Sequence, residues 1–121
     1  MNLTVNQIRF LLAVLSLTTM GEDVASTSIA HILGVTRPSV HGMLEQMIER
    51  GFIEKARYGS ARLTSEGLTL ARALEARRDK LTHLFIRRDG FPIDEALIAS
   101  TNLMSVLKEE SMQALEAQLH I

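Results

Sequence analysis

The sequence predicts a mainly α-helical fold with one small β-hairpin, and three observations carry that prediction. Apolar residues recur at helical spacing through most of the 121 residues. Gly34 and Gly51 interrupt that pattern where helices should stop. Between Gly51 and Thr64 the pattern changes to two short runs, Phe52-Ile53-Glu54-Lys55 and Ala61-Arg62-Leu63, with a Gly-containing loop between them.

The elements follow in order. Ile8, Leu11, Leu12 and Leu15 sit at i, i+3, i+4 and i+7, which predicts a helix over 4–19. Phe10, Val14 and Leu17 make it apolar on its other faces, so it must be covered on most sides, and a second subunit is the expected cover. Thr18 to Ala25 is a polar connection. Ser26 is placed to cap a short helix, Thr27 to Leu33, that ends at Gly34. Thr36 caps the next helix, with Pro38 in the first turn, where its missing N–H costs nothing. Val40, Met43, Leu44, Met47 and Ile48 form that helix's apolar stripe, and Gly51 stops it. After the hairpin, Thr64 caps a long helix containing Leu68, Leu70, Leu74, Leu81, Leu84 and Phe85. Asp89-Gly90-Phe91-Pro92 ends it, and 94–106 and 108–119 read as two further helices.

Composition narrows the function classes. Apolar residues make up 46% and aromatics 4%, so the core must be aliphatic. The absence of Cys excludes a disulfide framework, thiol catalysis and thiolate metal ligation, and fits a reducing cytoplasm. The longest apolar run, Phe10 to Leu15, is far too short for a membrane span, and a signal peptide is not expected. No Ser, His and carboxylate fall in a hydrolase motif, so an enzyme is not expected. The net charge of −1 conceals a gradient. Residues 37–62 hold five basic and three acidic side chains, 72–88 six and two, and 94–121 one and five. A basic middle suits a polyanionic partner, although the 72–88 run reads equally well as a solvated helix face.

A helix, a tight Gly turn, a second helix and a basic hairpin together make a winged helix-turn-helix. Such a second helix fits the DNA major groove with its N-terminal residues at the base edges, here Thr36, Arg37, Pro38, Ser39, His41 and Gly42. Its start also offers backbone N–H groups to a phosphate. Arg37 suits either a guanine edge or a phosphate. Gly42 is a poor helix former; close approach to DNA explains it, and so does close packing against a neighbouring helix. Lys55, Arg57, Tyr58, Ser60 and Arg62 lie on or beside the wing, suited to phosphate, sugar or minor groove. The alternative is a winged helix used for protein contact. Among the other residues, His31 reads as exposed, His120 lies near the chain end, and Met20, Met43, Met47, Met104 and Met112 read as core or interface filler.

The stretch SIAHILGVTRPSVHGMLEQMIERGFIEKARYGSARLTSEGLTLA resembles the diphtheria-toxin-repressor / manganese-transport-regulator family of bacterial metalloregulators. The likeness continues through RRDKLTHLF to the last amphipathic helix, although RLTSEG also occurs in winged-helix regulators of the multiple-antibiotic-resistance type. The length matches the family's short form. The resemblance implies a winged-helix DNA-binding domain over 1–70, a helical dimerisation domain over 71–121, a cytoplasmic homodimer on a palindromic double-stranded operator, repression, and control by Mn(II) or Fe(II). The first helix and residues 94–119 would then make most of the dimer.

The metal-ligand pattern departs from the family. Alignment puts Arg9 and Leu12 at the first-helix ligand positions, Asp79 where a His is usual, Thr101 at a Cys or carboxylate position, and Met104-Ser105 in place of a Glu-His pair. Mn(II) and Fe(II) favour carboxylate and imidazole donors, so the primary site reads as lost and no cofactor is expected. Asp79 and His83, at i and i+4, coincide with two positions of the family's ancillary site, a weak remnant for Mn or Fe whose next ligand position holds Leu97. The spacing of the two reading heads would then be set by apolar packing of Leu12, Leu97 and Met104, with Arg9 paired to a tail acid, or by an unknown effector.

Overall fold

The computed structural model describes residues 2–21 and 24–119, in the order α1 (Val5–Thr19), α2 (Ser26–Leu33), α3 (Arg37–Glu49), β1 (Ile53–Lys55), β2 (Ala61–Leu63), α4 (Ser65–Asp89), α5 (Ile93–Val106) and α6 (Glu109–Leu119). His120 lies outside the described residues. The fold is mainly α-helical with a winged helix-turn-helix. Two compact units form, one of Arg9–Leu74 and one of Met1–Ile8 with Glu75–Ile121. Among the described residues no helix is long and apolar enough to cross a membrane.

In the Arg9–Leu74 unit, Phe10 to Leu15 and Leu17 of α1 are all buried within the single chain. This corrects the expectation of a second subunit as their cover. α2 packs on α3, and α3 on β1. Gly34 closes α2 in the left-handed region (φ 68°), where a Cβ would be strained, and its N–H donates to the Ala30 carbonyl at 2.9 Å. Gly51 (φ 82°) ends α3 in a Schellman motif, with Phe52 N–H donating to Met47 O and Gly51 N–H to Ile48 O, both at 3.0 Å.

Ser26 is not the cap it was expected to be. Ala25 holds that extended position with no side-chain bond, and Ser26 is already helical. The reason lies across the chain: the Val24 carbonyl accepts from Ala61 N–H at 2.8 Å, holding the segment before α2 extended against β2. Met20 is 65% exposed, so it is no core filler, whereas Met47, Met104 and Met112 are buried.

The hairpin pairs Ile53 with Leu63, Glu54 with Arg62 and Lys55 with Ala61. Thr64 secures its base. Its hydroxyl donates to Gly51 O at 2.7 Å and accepts from Gly67 N–H at 3.0 Å, so one side chain joins the end of α3 to the start of α4. Gly67 lies so close to the same turn that a Cβ there would sit 1.9 Å from the Phe52 carbonyl oxygen.

In the other unit, Leu81, Ala96, Ser100 and Met112 are buried. Small Ala96 and Ser100 let α5 approach α4, and Thr82 Oγ1 donates to Ser100 Oγ at 3.0 Å, satisfying both buried hydroxyls. Arg77 ties α4 to α6, bonding both carboxylate oxygens of Glu109 at 2.8 and 2.9 Å and pairing through Nε with the buried Oε1 of Glu116. That contact holds the Glu109 carboxyl below the usual carboxylate range. Phe85 and Phe91 stack with centroids 5.7 Å apart, folding the connection to α5 back onto α4.

Candidate nucleic-acid interface

The α3 helix is anchored by one face and presents the other. Val40, Leu44 and Met47 are buried, while Thr36, Arg37, Pro38, Ser39, His41 and Gly42 are all exposed. Thr36 caps the helix, accepting from Ser39 N–H at 3.3 Å, and the two hydroxyls lie 2.9 Å apart. This local bonding alters the expectation of several free N–H groups for a phosphate. Pro38 has none and that of Ser39 is capped, which leaves the N–H of Arg37 in the first three positions.

Gly42 is informative. A Cβ built there meets nothing within 4 Å, so packing inside the chain does not explain the glycine. A helix-interior glycine costs about 1 kcal/mol relative to alanine. Glu45 and Glu49, exposed further along α3, were not singled out from sequence, although their spacing from Gly42 puts them on the same outer face.

The wing closes in a tight reversed turn. Ser60 N–H donates to Arg57 O at 3.2 Å, and both central residues, Tyr58 and Gly59, have positive φ (58° and 74°), as a type I′ turn requires. Asparagine or glycine usually fills the first central position. Tyr58 there costs roughly 1–2 kcal/mol of backbone energy and recovers nothing from packing, because its side chain is wholly exposed. Ser60 has a structural duty, its hydroxyl donating to Arg57 O at 2.7 Å. Arg62 is paired across the strands, its Nε 3.0 Å from Glu54. Lys55, Arg57 and Tyr58 stand exposed, and among the described residues Lys55 and Arg57 have no carboxylate partner. The sequence-predicted residues therefore divide: Arg37, Pro38, His41, Gly42, Lys55, Arg57 and Tyr58 are presented, while Thr36, Ser39, Ser60 and Arg62 are tied into the scaffold.

Each member of the remnant metal pair lies beside an arginine. Asp79 Oδ1 accepts from Arg78 at 3.0 and 3.2 Å, and His83 Nε2 lies 3.4 Å from an Arg87 guanidinium nitrogen. Two donors are too few to hold a divalent ion tightly by themselves. Among the described residues no group of three or more His, Asp or Glu could hold one. Arg9 donates to the Leu33 carbonyl at the end of α2 at 3.2 Å, where a cation suits the helix dipole.

Comparison with known proteins agrees with this geometry. Residues 11–57 match the IclR helix-turn-helix domain. No curated protein sequence matches the chain. Among solved structures, the manganese regulator SloR is 18% identical with a TM-score of 0.82, over 94% of this chain and 53% of that one. IdeR of T. acidophilum is 19% identical with a TM-score of 0.73, over 100% and 56%. The metal-dependent transcriptional regulator MtsR is 21% identical with a TM-score of 0.80, over 98% and 55%. At these identities the likeness is one of fold, and this chain spans about half the length of each.

Proposed function

We propose that this chain is a transcription regulator that binds double-stranded DNA through α3 and the wing, as a homodimer on a palindromic operator, and that it does so without a metal. The observation that carries the reading is the set of exposed cations that have no carboxylate partner among the described residues, Arg37 on α3 with Lys55 and Arg57 on the wing, set around an exposed Gly42 and Tyr58. Carboxylate-free arginines are available to phosphates or to the O6 and N7 edge of guanine. In this reading α3 lies in the major groove, and Lys55, Arg57 and Tyr58 meet the flanking backbone or minor groove.

Dimerisation is supported by α5, where Ile93, Ile98 and Val106 are 66%, 61% and 75% exposed in the single chain. Metal independence is supported by the arginines that face Asp79 and His83. Two of the structural neighbours are described as a manganese regulator and a metal-dependent transcriptional regulator, and it is the regulatory role that is carried over here, with repression taken from the family resemblance of the sequence.

Selection of genomic duplexes by the purified protein, with EDTA and with Mn(II) in parallel, tests this. One palindromic site enriched in both arms is expected. Enrichment only with Mn(II) would contradict metal independence. No enrichment in either arm would contradict the regulator reading and favour a winged helix used for protein contact.

A further inference from the structure

We infer that Gly42 marks the point where the α3 backbone itself meets the floor of the DNA major groove, an inference that rests on the DNA-binding reading above. Pro38, Gly42, Glu45 and Glu49 recur at i, i+4, i+7 and i+11, all exposed, on the side of α3 away from the buried Val40, Leu44 and Met47. They form the outer ridge of the helix. Over its first two turns this ridge bears only a proline ring and a hydrogen atom, while the long side chains of Arg37 and His41, themselves at i and i+4, stand together along one flank of it. Among the described residues nothing lies within 4 Å of a Cβ placed at Gly42. Alanine is the better helix former and would fit, so the fold supplies no reason for glycine.

The reason therefore lies in a partner that comes close. A helix with its side chains is about 10–12 Å across and the B-form major groove about 12 Å wide, so a ridge without side chains lets the backbone approach the base edges. The carboxylates of Glu45 and Glu49 on the same ridge repel phosphates, which orients α3 with its N-terminal end inward. The partner is B-form DNA, because the deep, narrow major groove of A-form RNA does not admit a helix.

The test is Gly42→Ala in the full chain, read by thermal unfolding and by affinity for the duplex that the unsubstituted protein selects. Glu110→Ala on α6, exposed and away from the hairpin and α3 in sequence, serves as the control. The expected result is a higher unfolding temperature together with an affinity loss of about tenfold or more, while Glu110→Ala keeps its affinity. If Gly42→Ala binds the selected duplex as tightly as the unsubstituted protein, the close approach is wrong and the DNA-binding reading survives. If Gly42→Ala unfolds at a lower temperature, the chain itself needs the glycine and the inference falls. Equal affinity for double-stranded RNA would remove the major-groove assignment. Failure of the unsubstituted protein to select any duplex would overturn this inference and the reading beneath it together.

Discussion

Residues 37–62 carry five basic side chains and residues 72–88 carry six, yet the two stretches give them different partners. In the second, Arg77 is held by Glu109 and Glu116, Arg78 by Asp79 and Arg88 by Asp89, while Arg72, Lys80 and Arg87 are exposed without a carboxylate partner among the described residues. In the first, Arg62 has Glu54 and Arg50 lies 5.5 Å from the centre of the Phe52 ring, but Arg37, Lys55 and Arg57 have no carboxylate partner among the described residues. Charge counts along a sequence rank these stretches alike. Paired and presented cations do different work: Arg77 fixes α4 against α6, Arg78 and Arg88 each meet the next residue of their own helix, and a presented cation is available to a polyanion. What sets the first stretch apart is that its two low-stability choices, Gly42 and Tyr58, lie among its presented cations.

The comparison can be broken most strongly at Arg37 and Arg57. Replacing both with alanine should cost roughly 2–6 kcal/mol of DNA affinity, at about 1–3 kcal/mol per contact, and leave thermal unfolding almost unchanged. Titration of a selected duplex measures it; a loss below about threefold would place the DNA contacts elsewhere. Gly67→Ala comes next. It forces a Cβ into the Phe52 carbonyl oxygen, and overpacking of this kind costs about 1–3 kcal/mol or more of stability in a denaturant melt.

Arg77→Met should destabilise by about 1–3 kcal/mol, because it leaves the buried Glu116 oxygen without its partner. Any loss of DNA affinity should then follow stability. This variant also has a pH signature. The folded-state Glu109 carboxyl is lowered by its hydrogen bond to Arg77, so its stabilisation is present above the ordinary glutamate range near ~4.3 and lost as pH falls through the lower folded-state value. The stability gap between the native chain and Arg77→Met should therefore narrow in acid, and a gap independent of pH would contradict the pairing. The smallest effect is expected at the wing tip. Tyr58→Asn should gain up to about 1 kcal/mol of stability by relieving the left-handed backbone, and should lose DNA affinity if the phenol contacts the duplex.

Much of this was legible in the sequence because it is written locally. Gly34, Gly51, Thr36 and Thr64 announce helix ends whose caps involve residues only a few positions away, and the hairpin runs sit on either side of a Gly-containing loop. What sequence could not supply depends on distant partners. Ala25 rather than Ser26 caps α2 because Val24 is held by Ala61. Gly67 is glycine because of Phe52, fifteen positions earlier. The α1 helix, apolar all round, announces burial but not its cover. Arg9 meets the end of α2, a partner that an arginine's reach does not reveal. Of the interface residues, exposure follows from the helical period, but the engagement of Ser60 and Arg62 follows from the turn and the strand register.

The most direct measurement is amide hydrogen exchange of the whole chain with and without a selected duplex. The account predicts new protection confined to α3 and the hairpin, residues 36–62, with 77–89 unchanged. Protection centred on 72–88, or none in α3, would contradict the claim that α3 and the wing meet DNA.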